Sequence, residues 1–153
     1  MIIRFYERAD FAACQQIFDS NVPTFFAEEE RAEFFEFLTH PPGPYLVFEE
    51  KGMIVACGGW ANSRTTTNEV ILCWGMVRHD RHRGGIGASL MEARLTAIFE
   101  NNSSAIVSLN TSQHSANFFA RFGFQTVHMQ KDGYAAGIDL VEMKLTTGLF
   151  LRA

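Results

Sequence analysis

Apolar residues change their spacing several times along the chain, and each change marks an element. Ile2 to Glu7 alternates as a short strand does, and Asp10 is then placed to cap a helix whose inward face carries Phe11, Cys14, Ile17 and Phe18. Asn21 and Pro23 end that helix. A second helix, about Glu28 to Leu38, sets Arg31, Phe34, Phe35 and Leu38 at helical spacing, with three glutamates in the first turn, where the helix dipole favours them. Pro41, Pro42, Gly43 and Pro44 stop it. Tyr45 to Glu49 and Met53 to Trp60 are apolar runs around a polar turn containing Gly52, which is a hairpin pattern. After the polar stretch Asn62 to Asn68 comes a strand from Glu69 to Val77, on which alternation puts Glu69 on the side of Ile71, Cys73 and Val77.

Beyond the loop Arg78 to Arg83, a helix from about Ile86 to Glu100 repeats its apolar face at Ile86, Leu90, Ala93 and Ala97. A strand at Ala105 to Asn110 and a helix through Ser115 to Phe122 come next, and Gly123 suits a left-handed C-terminal cap. Phe124 to Gln130 and Ile138 to Leu145 read as a closing pair of strands. The order predicts an α/β (α+β) fold: a mixed, mostly antiparallel sheet of six to seven strands flanked by about four helices, with a parallel pair where a helix separates consecutive strands.

Length narrows this to one domain, 1–153, with one core and one site. Hydrophobic residues at 47% and charged residues at 20% exclude a disordered chain, while 15 Phe are an excess expected in core and pocket walls. A net charge of -4 argues against a nucleic-acid binder. Cys14, Cys57 and Cys73 are an odd number without paired spacing and read as reduced thiols of a cytoplasmic protein. No segment has the pattern of a cleaved leader or the length of a membrane span, so neither export nor membrane insertion is expected.

The segment from Arg81 through His82, Arg83, Gly84, Gly85, Ile86 and Gly87 to Ala88 joins a strand to a helix. A helix N-terminus offers unpaired N–H groups and the positive dipole end, and glycines remove the Cβ atoms that would hold a diphosphate away. Arg81 and Arg83 add positive charge. A tight turn that holds nothing is the plainer alternative. A P-loop would need Lys after these glycines, and none is there. A dinucleotide fingerprint would need Gly or Ala three residues beyond Gly87, where Leu90 stands. Coenzyme A is the remaining diphosphate of the three.

On these residues the chain resembles the GNAT superfamily of acyl-CoA-dependent N-acetyltransferases. The family's Gln/Arg-x-x-Gly-x-Gly/Ala motif is matched by His82 to Gly87 with His in the first place. Ile3-Arg4 with Arg8-Ala9-Asp10, Gly75-Met76-Val77, Phe118 to Phe124 and Asp139 to Met143 are similar to further family stretches, in the family's order. The resemblance implies that acetyl-CoA is held by Met76 and Val77 (main chain to pantetheine), by His82, Arg83, Gly84, Gly85, Ile86, Gly87 and Ala88, and by Asn110 and Phe119. No metal is implied, and the histidines show no ligand spacing with cysteines or carboxylates.

The family's usual acid for the departing thiolate is a tyrosine whose place is taken by Phe119, and Ser112 stands where relatives often carry Asn. Tyr134 is the preferred replacement acid, with Tyr45 and His114 as others. Glu69 is the candidate base, acting through water. The expected activity is direct acetyl transfer to a primary amine of a small molecule or peptide, with the acceptor site shaped by the first two helices and the turn near Tyr134. An acyl-CoA-binding sensor without catalysis, and a site for another nucleotide, are the alternatives. A homodimer is an open alternative to a monomer.

Overall fold

The structure is a computed structural model that describes residues 1–146; residues 147–153 of the expected domain lie outside the described residues. Strand β1 (Ile2–Phe5) leads through a single 3-10 turn, Arg8–Asp10, into α1 (Phe11–Ser20). Another such turn, Glu28–Glu30, opens α2 (Arg31–Thr39). Strands β2 (Tyr45–Glu50), β3 (Met53–Asn62) and β4 (Glu69–Val77) form a meander, followed by α3 (Ile86–Asn101) and β5 (Ile106–Thr111). The short α4 (Ala116–Ala120) and the hairpin β6 (Gln125–Ala135) and β7 (Ile138–Thr146) complete the fold. These are the expected elements, with the last helix shorter and β6 longer than the pattern suggests.

Asp10 works differently from its expected role. It makes no side-chain hydrogen bond to the start of α1. Its Oδ2 accepts the Glu7 N–H at 2.8 Å, and the Arg4 guanidinium donates to both carboxylate oxygens at 2.8 and 2.9 Å. The carboxylate therefore closes the preceding turn and ties it to β1. The hydrogen bonds from Arg4 hold the Asp10 carboxyl below its ordinary range, against the opposing effect of burial.

All seven strands join one sheet in the order β1-β2-β3-β4-β5-β7-β6, and only β4 and β5 run parallel. One face packs Val70, Leu72, Val107, Leu109 and Met143 against Met91 and Leu95 of α3. The other packs Val47, Cys57 and Met76 against Cys14, Ile17 and Phe18 of α1 and Phe34 and Leu38 of α2. Phe18, Phe34 and Phe48 are fully buried, so part of the phenylalanine excess is core.

Strand β4 is irregular in two ways. Its pairing with β5 covers only Glu69 to Ile71 against Ile106 to Ser108, although β4 continues to Val77 and β5 to Thr111. The second irregularity is a bulge. Cys57 pairs with Met76 and Gly59 with Cys73, so Gly58 faces two residues, Trp74 and Gly75, and Trp74 has φ 42°. The extra residue reverses the alternation. Met76 shares the face of Glu69, Ile71 and Cys73, while Val77 turns to the opposite face, contrary to the uninterrupted alternation expected from sequence.

Candidate functional site

The bulge is held from three sides. The Tyr45 hydroxyl donates to the Trp74 carbonyl at 2.8 Å. The Trp74 ring lies among Phe26, Phe34 and Phe37, with centroids 6.0, 5.0 and 6.4 Å away. Gly75 admits the guanidinium of Arg94 from α3, because an added Cβ would lie 2.7 Å from Nη2. Trp74 thus shows its indole to the α1 and α2 side just where β4 has parted from β5.

From the bulge the chain runs through Met76 and Val77 to the glycine turn. The Val77 carbonyl accepts from Asn21 Nδ2 and His82 Nε2, both at 2.9 Å. A carbonyl only accepts, so the His82 proton is on Nε2. His82 thereby stitches the turn to β4, and its ring packs edge-on against Phe25 at 5.0 Å. Phe25 also lies 6.0 Å from His79 and 6.3 Å from His114, so one aromatic ring gathers three imidazoles beside the turn. Nothing in their sequence spacing announces this cluster.

The turn itself is suited to an anion. Gly85 is the N-cap of α3 with φ 82°, a left-handed conformation that glycine adopts without strain, and Arg83 has φ 64°. The Ser89 N–H returns to the Gly85 carbonyl at 3.1 Å, which leaves the amides of Gly85, Ile86, Gly87 and Ala88 as the unpaired first donors of a 16-residue helix. No acidic residue lies in the first turn. The dipole end is therefore not neutralised locally.

Arg83 is exposed and has no ion-pair partner among the described residues, so it is available to a ligand. Arg81 instead pairs with Glu50 and does not add free charge at the turn. Gly87 faces the ring of Phe118, whose Cζ would lie 3.4 Å from an added Cβ. Small backbone, free amides, a dipole end and a free guanidinium together fit a diphosphate.

Of the other expected cofactor residues, Asn110 is exposed on β5 beyond the last pair with β4. Phe119 packs against Phe118 and Phe124 at 5.2 and 6.1 Å. The ring next to the glycines is Phe118, one residue before the Phe119 that the resemblance assigns to the cofactor. Ser112 is buried and organises the approach to α4: its carbonyl accepts from Ser115 and Ala116, and its hydroxyl from the His114 N–H.

The candidate acids and base are spread out. Tyr134 is half-buried on β6, and burial first, then Glu30 and Glu33, push its phenol above the ordinary tyrosine value. It stays protonated and able to donate at neutral pH. Burial likewise raises the Glu30 carboxyl, although its Oε2 accepts the Ala27 N–H at 2.7 Å. Tyr45 is buried and committed to the bulge. Glu69 faces Lys144 with Oε2 3.6 Å from Nζ. It precedes Trp74 by five residues, about 17 Å along a strand. A depression of about 460 Å³ on the α2 side is lined by Glu33, Glu36, Phe37, His40, Arg64 and Trp74, and so reaches the bulge from the side of the first two helices. Among the described residues, no group of His, Cys, Asp or Glu is arranged to hold a metal, and no helix is long and apolar enough to cross a membrane.

Residues 22–147 match the family model for the acetyltransferase (GNAT) domain. No curated protein sequence matches the chain. Among solved structures, the chain is similar to Ard1 from Thermoplasma volcanium, with a TM-score of 0.77, 19% identity and coverage of 95% of this chain and 96% of that one. It is similar to the ribosomal-protein-alanine N-acetyltransferase from Brucella melitensis, with a TM-score of 0.74, 21% identity and coverage of 95% and 99%. An aminoglycoside 6'-N-acetyltransferase complexed with coenzyme A gives a TM-score of 0.73 at 17% identity, with coverage of 96% and 97%. At these identities the likeness is one of fold.

Proposed function

Because the chain belongs to the GNAT family of acetyltransferases, we propose that it moves an acetyl group from acetyl-CoA directly to a primary amine of a small molecule or peptide. The observation that carries this reading is the mouth of α3, where free amides, Gly84, Gly85, Gly87 and Arg83 meet with no neutralising carboxylate. In this reading His82, Ile86 and Ala88 complete the diphosphate cradle. Met76 and the part of β4 left unpaired by β5 lead the pantetheine arm to the bulge. Asn110 and the Phe118–Phe119 pair line the opposite wall. Acetyl-CoA would supply an activated acyl carbon, and the protein's task is to orient it and to receive a neutral amine.

The amine enters from the α2 side. Glu33 and Glu36 beside Trp74 favour a cationic acceptor over an anionic one. Tyr134 is our candidate acid, because its raised phenol keeps its proton through the neutral range. Glu69 is our candidate base through intervening water, and its pairing with Lys144 offers a structural role as the contrast. Tyr134→Phe should lower kcat without lowering Tm. A Glu69→Gln variant that loses stability but keeps its turnover would leave Glu69 only the structural role. The whole chain acts as one acyltransferase domain in this reading. The free thiols Cys14, Cys57 and Cys73 favour the cytoplasm as its compartment.

The test is an acetyl-CoA titration followed by an amine screen read by thiol release. Saturation at about 100 times Kd stabilises a fold by roughly 2.7 kcal/mol, or about 5–10 °C for a chain of this size. Absence of any shift at millimolar acetyl-CoA would end the proposal. Phe119 favours a second reading, an acyl-CoA sensor, since a phenylalanine packed on Phe118 and Phe124 donates no proton. Binding without thiol release across the panel would favour the sensor, and one good acceptor would exclude it.

A further inference from the structure

Arg94 is 3% exposed on the sheet-facing side of α3. Its guanidinium lies in a notch made by two glycines of the bulge. An added Cβ would lie 2.7 and 2.8 Å from Nη2 and Nη1 at Gly75, and 3.3 Å from Nη1 at Gly58. Inside this notch Nη1 makes one long hydrogen bond, 3.4 Å, to the Gly59 carbonyl, and Nε has no partner. The titratable groups facing it are the phenol of Tyr45 and the thiols of Cys57 and Cys73, and none of them is a carboxylate.

Burial lowers the guanidinium to about 10, so it remains a cation at neutral pH. A buried cation without a counter-charge is costly, and an apolar side chain of similar length would fill the notch at lower cost. The arrangement has the form of a site prepared for negative charge that is present only at some stage. The bulge is where β4 has left β5 and where Trp74 faces the acceptor side, so the charge sits beneath the place the proposed function gives to the thioester.

Resting on that reading, we propose that Arg94 stabilises coenzyme A as its thiolate, and so eases departure of the sulfur that Phe119 cannot protonate. The amine nitrogen bonds to the acyl carbon and the carbon–sulfur bond breaks. The sulfur leaves with the electron pair of that bond as a thiolate, which Tyr134 protonates afterwards, and the surplus proton of the amine passes to the water that Glu69 serves. The only new charge in the buried part of the site is negative, and Arg94 faces it across the bulge as a positioning residue rather than a proton donor. A like-sized apolar residue could hold the helix against the sheet but could not do this.

The experiment titrates the thiol of bound coenzyme A by its thiolate ultraviolet absorbance, with desulfo-coenzyme A as the blank, while calorimetry confirms occupancy at each pH. In the unaltered protein the midpoint should fall about one pH unit or more below that of free coenzyme A. Arg94→Lys should keep part of that shift. Arg94→Met should return the midpoint to the free value while Kd at neutral pH, where the thiol is protonated, changes less than about threefold, because the glycine turn is untouched. A bound thiol that titrates like the free one in the unaltered protein overturns the inference without touching the acetyl-CoA reading, and needs no variant to fold. An Arg94→Met midpoint equal to that of the unaltered protein overturns it as well. Failure of the unaltered protein to bind coenzyme A at all rejects the acetyl-CoA reading and this inference together.

Discussion

Replacing Tyr45 by Phe tests whether the bulge in β4 is a held conformation. Tyr45 is 3% exposed, and its ring packs edge-on against Tyr6 and Phe37 at 5.8 and 5.2 Å. A phenylalanine keeps those contacts and the ring volume, so the change is confined to the hydroxyl and its 2.8 Å bond to the Trp74 carbonyl. Losing a buried hydrogen bond and leaving its acceptor unsatisfied costs about 1–3 kcal/mol. At about 2–4 °C per kcal/mol for a domain of this size, a central value of about 2 kcal/mol lowers Tm by about 4–8 °C. Trp74 sits at φ 42°, which for a residue with a Cβ costs about 1–2 kcal/mol and must be maintained by its surroundings. Release of its carbonyl should therefore also disturb the site at the bulge. The assay pairs thermal unfolding with acetyl-CoA calorimetry and turnover on any acceptor found. Stability and kcat should fall while Kd, which the proposed function assigns mainly to the glycine turn, changes less. A Tm loss below about 1 °C would refute the claim that the hydroxyl holds the bulge.

Three further outcomes are expected. Gly85→Ala meets no atom within 4 Å but must adopt φ 82°, so it should cost about 1–2 kcal/mol in thermal unfolding and weaken acetyl-CoA binding by calorimetry. Arg83→Ala should weaken acetyl-CoA binding and reduce its salt dependence, while Arg81→Ala, whose charge is already spent on Glu50, should change affinity far less. Asp10 has a depressed folded pKa, so its stabilisation is fully present above the unfolded value near 3.8 and is lost as pH falls through the lower folded value. Asp10→Asn should remove that acid-side loss and lower stability at neutral pH by about 2 kcal/mol, read by denaturant unfolding at several pH values.

The elements, the mixed sheet and the glycine turn at the mouth of α3 are legible in the sequence because their signals are local. Period 2 and period 3.6 read directly as strands and helices, and the Gly84–Gly87 turn carries its conformation in residue type, with φ 82° at Gly85. Glu69 is equally visible as a strand start, but its distance from the bulge is not. Alternation alone puts Val77 on the wrong face, because a bulge two residues before it inserts an extra residue and the pattern has no means of announcing that. Arg81 looks like a second free cation until the fold brings Glu50 beside it.

The sequence by itself determined the order of elements, the layered class and the turn that can receive a diphosphate, all of which arise from hydrogen-bonding demands within a few residues of chain. Tertiary structure alone decided the bulge, its clamp from Tyr45, the limited pairing of β4 with β5, and the buried cation beneath Gly75. Each of those joins residues far apart in the chain. Arg94 is the clearest case: in sequence it is one of several polar residues on α3, and only the absent side chains of Gly58 and Gly75 on two other elements turn it into a charge buried beneath the bulge.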